Sequence, residues 1–127
     1  MRILLFLVCI CAACAPTTAT PGVYDCSSAE EYVSTHITYI YSSYDKWQSP
    51  KETLDKGTGD CEDIAILWLY LVYEATGKKG ILWIGWWNGD GMGHAWATCG
   101  DYAFFEMEDP PDIITYMDYD TAMFLSL

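Results

Sequence analysis

The stretch Ile64–Tyr73 is apolar on every side and carries no charge. Polar punctuation brackets it. Asp60 stands at an N-cap position with Asp63 three residues on, and Gly77 closes the segment. A helix that is apolar all round is buried all round. The rest of this 127-residue chain must therefore wrap that helix. A length of this order is one domain. Six Trp and ten Tyr give it enough apolar bulk for a small core.

The first residues stand apart from that core. Met1-Arg2 supplies a positive charge, Ile3–Ala13 is an apolar run, and Thr17, Thr18, Thr20 and Pro21 follow. This is the pattern of a secretory signal, and the run is too short for a good transmembrane span. Cleavage after Ala13 leaves Cys14 first, behind the small Ala12 and Ala13, as in a bacterial lipoprotein with Cys14 lipidated. Cys11 stands where such signals usually carry Leu. Ordinary cleavage after Ala15 is the alternative, and it would expose Pro16, which signal peptidases tolerate poorly. The lipoprotein reading is preferred. It divides the chain into a signal over 1–13, a tether over 14–23 and a domain over 24–127. It places the domain in the periplasm or at the cell surface, with the membrane reached only through the lipid anchor.

Three cysteines remain in the domain: Cys26, Cys61 and Cys99. In an oxidising compartment an odd number divides naturally into one pair and one free thiol. If Cys61 is the nucleophile, Cys26 and Cys99 are the pair left to bridge. The 18 Asp and Glu against 6 Lys and Arg give a net charge of −12. A nucleic-acid partner is thereby excluded, because phosphates need Lys and Arg to neutralise them. The acid keeps an exported protein soluble, and it also offers ligands to a divalent cation.

Helices are expected on the N-terminal side. Ser27 and Ser28 before Glu30 and Glu31 read as a helix start. Val33, Ile37, Ile40 and Tyr44 then recur at helical spacing. His36 near that face reads as a boundary residue, not a catalyst. Ser49-Pro50-Lys51-Glu52 places a cap, a first-turn proline and a capping-box Glu ahead of a short helix that stops at Gly57. Strands are expected beyond Gly77: Gly80–Trp87, then His94–Thr98 and Tyr102–Met107 as a hairpin, with Pro110-Pro111 as a breaker. The tail from Ile113 carries both strand and helix signals. No internal repeat is present. Helices followed by an antiparallel sheet make an α+β fold.

Cys61 follows the cap at the start of the buried helix. Positive partial charge there stabilises a thiolate, and free N–H groups can hold an oxyanion. His94 opens a strand after a glycine-rich loop. A helix-tip cysteine beside a strand histidine is the arrangement that thiol acyl transfer needs. A third group should orient the imidazole, and the hairpin register decides which. A three-residue loop, Cys99 to Asp101, sets His94 opposite Glu106. A two-residue turn, Gly100-Asp101, gives that place to Ala95 and faces His94 with Met107. Glu106 is the choice, Asp109 the reserve, and Glu108 a weaker option. Trp83, Trp86 and Trp87 either line a cleft or pack as boundary residues.

Two strings, Trp47-Gln48-Ser49-Pro50-Lys51-Glu52-Thr53-Leu54 and Gly57-Thr58-Gly59-Asp60-Cys61-Glu62-Asp63-Ile64-Ala65, followed by Gly77, resemble the bacterial transglutaminase-like cysteine peptidases. His94-Ala95-Trp96 is similar to the string that opens the histidine strand of transglutaminase-like domains generally. The resemblance runs from about Trp47 to Asp109. It implies a papain-like α+β fold with a Cys-His-Asp triad, which maps onto Cys61, His94 and the position of Glu106. The family pattern has Leu-Asp where this chain has Phe105-Glu106, whose longer arm alters the reach. In papain-like enzymes an upstream Gln completes the oxyanion hole, which points to Gln48 beside Trp47; Trp47 equally suits the core. Some exported members depend on calcium and cleave surface adhesins. Their ligands include acids flanking the nucleophile, here Asp60 and Glu62, with Asp63. Three carboxylates oppose ionisation of a thiol between them, and a bound Ca²⁺ reverses that balance. Acids in a first helical turn are also favourable with no metal.

The function expected is an exported thiol hydrolase, peptidase or amidase, that forms an acyl-enzyme on Cys61 with His94 as base. It acts on a peptide or protein and requires no cofactor, with Ca²⁺ the one candidate. The alternative is a catalytically inactive envelope module on the same fold that binds a peptide or partner protein. A zinc hydrolase ranks third, because the ligand spacing is absent.

Overall fold

The computed structural model describes residues 19–43, 46–89 and 91–127. The signal, Cys14 and Tyr44 lie outside the described residues. Ten elements follow in order: α1 (Cys26–His36), β1 (Thr38–Tyr39), α2 (Pro50–Lys56), β2 (Thr58–Gly59), α3 (Cys61–Thr76), β3 (Ile81–Trp86), β4 (Gly93–Cys99), β5 (Tyr102–Phe104), β6 (Ile113–Asp118) and α4 (Tyr119–Leu125).

Helix α3 is the buried helix. Asp60 caps it by accepting from the Asp63 N–H, and the Asp63 side chain accepts from the Asp60 N–H in return. Gly77 ends it at φ 72, a left-handed turn that suits glycine. Ile66, Leu67, Trp68 and Leu69 are 0% exposed, so a full turn of the helix sees no water. The one polar atom among these side chains is paired, since Trp68 Nε1 donates to the Cys26 carbonyl at 3.1 Å. Cover comes from α1, α2 and α4 and from a four-stranded antiparallel sheet. The sheet order is β5-β4-β3-β6. The α+β architecture read from the sequence is the one observed.

Face assignment in the sheet follows from two glycines. A side chain at Gly80 would meet Leu69 of α3, whereas one at Gly85 would meet Pro111 on the opposite side. Alternation then turns Leu82 and Ile84 of β3 and Ala95 and Ala97 of β4 towards α3, where all four are buried. His94 pairs with Gly85, and Trp96 with Trp83, so their side chains leave on the other face. There Trp83 stacks on Trp96, and its Nε1 donates to Thr98 Oγ1 at 2.8 Å.

Three expectations need correction. The first helix does not continue to Ile40. It stops at His36, because Ile37 is extended and β1 pairs in parallel with β2, Thr38 opposite Thr58. The cap of that helix is Asp25, which accepts from Ser28 at 2.8 Å, so the serines lie inside the first turn. The hairpin turn is the two-residue one, with Cys99 opposite Tyr102, and β5 ends at Phe104 instead of running to Met107. Glu106 is therefore not opposite His94. The tail uses both of its signals, as β6 and then α4.

Gly80 also lies against the backbone carbonyl of Thr98, which cannot swing aside as a side chain would. Gly80→Ala is expected to cost about 1–3 kcal/mol through overpacking. Urea unfolding checks this, and a loss below about 0.5 kcal/mol, the range of a neutral surface change, would contradict the packing described.

Candidate active site

Cys61 is the first residue of α3 and is 8% exposed. It opens on a hollow of about 370 Å³ whose lining includes Tyr39, Trp47, Glu62, Ile84, Trp86 and Met92. Its sulfur lies against the backbone N–H of Ala95, the residue after His94. Cys61 thus meets β4 at the backbone of the residue next to His94. Tyr39 borders both the Cys61 hollow and the His94 hollow.

No hydrogen bond joins the two side chains among the described residues. The Cys61 thiol donates instead to Glu62 Oε2 at 3.1 Å. Burial, then the charge and hydrogen bond of Glu62, push the thiol up to about 12; the Ala95 N–H pulls the other way. Asp60 is pushed up to about 7, first by burial and then by the Glu62 charge. The Cys61 thiol is therefore protonated at neutral pH in this arrangement.

His94 sits in an aromatic clamp. Its ring stacks on Trp96 at 5.9 Å and on Phe105 at 5.7 Å, with Trp87 tilted against it at 6.4 Å. His94 Nε2 is 2.8 Å from the Phe105 carbonyl. Phe105 has φ 67, the one positive value at a non-glycine among the described residues. That conformation costs about 1–3 kcal/mol and persists only where the surroundings impose it.

Glu106 and Met107 share a hollow of about 400 Å³ with His94. Neither Glu106 nor Glu108 nor Asp109 forms an ion pair with His94 among the described residues, and all three are exposed. Gln48 is placed elsewhere than at the sulfur. Its backbone N–H donates to Asp63 Oδ1 at 2.7 Å, and its Nε2 donates to Asp63 Oδ2 at 2.6 Å and to the Thr58 carbonyl at 3.2 Å. Trp47 borders the Cys61 hollow and packs on the core. The side chain of His36 is exposed and bonded to the Tyr32 carbonyl at 2.8 Å, away from any of this.

The three acids divide in their fitness for a cation. Asp63 is 3% exposed and its oxygens are taken by Gln48 and by the Asp60 N–H, so it is not available. Asp60 and Glu62 face each other and are the carboxylates that could hold Ca²⁺. No group of three or more His, Cys, Asp or Glu converges for a metal among the described residues. Two carboxylates leave most of the six to eight oxygens of a Ca²⁺ shell to be supplied by other donors.

Sequence reasoning missed the Phe105 carbonyl, the Ala95 N–H and the Gln48–Asp63 pair. The first two are backbone atoms and leave no side-chain signal. The third joins residues that are 15 apart through a fold not yet formed.

A family model described as a transglutaminase-like domain matches residues 22–118. No curated protein matches the chain. Among solved structures, EGTA-treated LapG of Legionella pneumophila aligns with a TM-score of 0.49 and 18% identity, covering 66% of this chain and 46% of that one. LapG of Legionella pneumophila in a second structure aligns with a TM-score of 0.45 and 21% identity, covering 64% and 48%. The chain spans about half the length of these structures.

The raised Asp60 carboxyl has a consequence for stability. Its ordinary value is 3.8, so the folded protein holds that proton more tightly than the unfolded chain does. Stability from this group is present below about pH 4 and is lost as pH rises towards about 7. Asp60→Asn keeps a good N-cap and removes the charge. In metal-free buffer it is expected to match the wild type at pH 4 and exceed it by about 1 kcal/mol at pH 8, well below the full conversion because the group is partly solvated. Melting curves at the two pH values test this, and a gap that does not change with pH would refute it.

Proposed function

The chain belongs to the transglutaminase-like domain family, and on that premise we propose that it is a thiol hydrolase, peptidase or amidase, acting through Cys61 and His94. The Cys61 sulfur attacks the substrate carbonyl carbon while its proton passes to His94. The tetrahedral intermediate expels the amine, which takes that proton, and leaves a thioester on Cys61. Water, activated by His94, then releases the acid and restores the thiol. The N–H groups of the first turn of α3 supply oxyanion donors. The observation that carries this reading is the position of Cys61: first in a buried helix, open to a hollow, against the backbone of β4 beside His94. The aromatic lining of that hollow suits an extended peptide or protein segment.

Catalysis in this reading begins with the thiol turning from Glu62 towards the imidazole. Neither Glu106 nor Asp109 is required by this reading, since both are exposed and form no ion pair with His94 among the described residues. Asp60 and Glu62 would hold a Ca²⁺ whose charge offsets theirs beside the sulfur. Export, with lipidation at Cys14, belongs to the same proposal. No helix among the described residues is long and apolar enough to cross a membrane. Cys26 and Cys99 are free thiols in the structure, and they are the pair that exchange with a disulfide donor would bridge in an exported protein. The two thiols lie within each other's hydrogen-bonding and electrostatic reach.

One observation favours the inactive-module reading: the thiol pushed up to about 12 with Glu62 as its acceptor. Iodoacetamide labelling separates the two. One adduct before reduction and three afterwards, at the three domain cysteines, would show Cys26 and Cys99 bridged, whereas three throughout would match the free thiols of the structure; the rate at Cys61 separates the two readings. Glu62→Gln should speed labelling at pH 7, and His94→Ala should slow it by about tenfold or more. A rate indifferent to His94→Ala would leave a non-catalytic module. For calcium, the melting temperature should rise with added Ca²⁺ in the wild type and stay flat in Asp60→Ala; a flat response in both would remove the metal from the account.

A further inference from the structure

An imidazole that serves as a base must present one bare nitrogen to the thiol and keep its proton on the other. In this chain the group that decides the tautomer is not a carboxylate. His94 Nε2 is 2.8 Å from the carbonyl oxygen of Phe105, and a carbonyl can only accept. Nε2 therefore carries the hydrogen and donates it, and in neutral His94 the lone pair is left on Nδ1. The ring cannot easily turn over, because Trp96 and Phe105 stack on it and Trp87 leans against it.

The backbone is built around the same contact. Strand β5 stops at Phe104, and the next residue takes a left-handed φ of 67, which a bulky side chain rarely adopts. A regular continuation of the strand would set Met107 opposite His94 by the observed register, with no acceptor on its side chain. The strained residue instead breaks the ladder and brings its own carbonyl to the imidazole. Glu106, the residue one place on, shares the hollow with His94 yet forms no ion pair with it among the described residues.

We propose that the backbone carbonyl of Phe105 is the positioning group for His94, holding it as the Nε2–H tautomer with Nδ1 as the proton acceptor, and that Glu106 is dispensable for this. The inference rests on the thiol-hydrolase reading for its catalytic meaning, while the tautomer itself can be measured independently of activity. A histidine held in this way does not depend on the ionisation of a third residue. The departure from Asp at position 106 then removes nothing that the site uses.

The test uses the full-length protein with ¹⁵N-labelled histidine. Nitrogen chemical shifts of neutral His94 should report the Nε2–H tautomer in the wild type and equally in Glu106→Gln. Iodoacetamide labelling of Cys61 in Glu106→Gln should stay within about twofold of wild type, far from the effect of losing a base. Phe105→Asn retains access to the left-handed region and should keep the tautomer. Phe105→Pro fixes φ near −65°, swings the carbonyl away, and should mix the tautomers and slow labelling by about tenfold. If Phe105→Pro fails to fold, the wild-type and Glu106→Gln spectra still decide. An Nδ1–H wild-type tautomer, or one that reverts in Glu106→Gln, overturns the proposal. If the tautomer is as expected but His94→Ala leaves labelling unchanged, the hydrolase reading fails and the positioning contact stands as structure alone.

Discussion

A helix with no solvent face can meet water only at its ends, and this decides where chemistry can occur. The middle of α3 is sealed by helices on one side and the sheet on the other. At its N-terminus the seal is made by polar atoms. Asp63, buried at the first turn, takes hydrogen bonds from the Gln48 backbone, the Gln48 side chain and the Asp60 backbone. A buried carboxylate with that many donors is well compensated, and losing any of them would leave its charge less so. The loop before α2 is thereby tied to α3, and Cys61 is presented at the N-terminal end, one of the places where the helix surfaces. Gly59 completes the fit, since a side chain there would come within 2.7 Å of the Asp63 Cβ.

Much of this was legible in the residues because it is local. The caps at Ser49 and Asp60, the proline at the start of α2 and the closing glycines Gly57 and Gly77 all act within a few positions, and all were found where the pattern set them. The parts that escaped are those that a distant partner decides. The end of α1 is settled by Thr58, which pairs with Thr38 and pulls the chain out of the helix before Ile40. The hairpin turn differs by one residue between two equally readable registers, and side-chain pattern does not separate them. Gln48 alone reads as an oxyanion donor and Asp63 as a cap or metal ligand, and Asp63 keeps its part in the cap by accepting from the Asp60 N–H. The fold makes them partners.

Charge is the other organising feature of the site. A thiol at a helix start is normally assisted by the helix, yet Cys61 has Glu62 beside it and Asp60 before it. Burial adds to their effect on the sulfur. The Ala95 N–H is the opposing contribution. The protonated thiol and the raised Asp60 are two expressions of one local excess of negative charge. Anything that adds a positive charge there, or removes an acid, moves both together.

The shortness of β5 has a consequence for how such a site could be lost. By the observed register, a longer strand would bring residue 106 opposite Ala95 and residue 107 opposite His94. The added ladder would compete for the Ala95 N–H, and Phe105 would have to give up its left-handed turn. Extending one hairpin arm by three residues would thus dismantle the constellation while leaving Cys61 and His94 untouched. Relatives that keep both residues could still differ in competence through strand length alone, a trait that comparing side chains position by position would overlook.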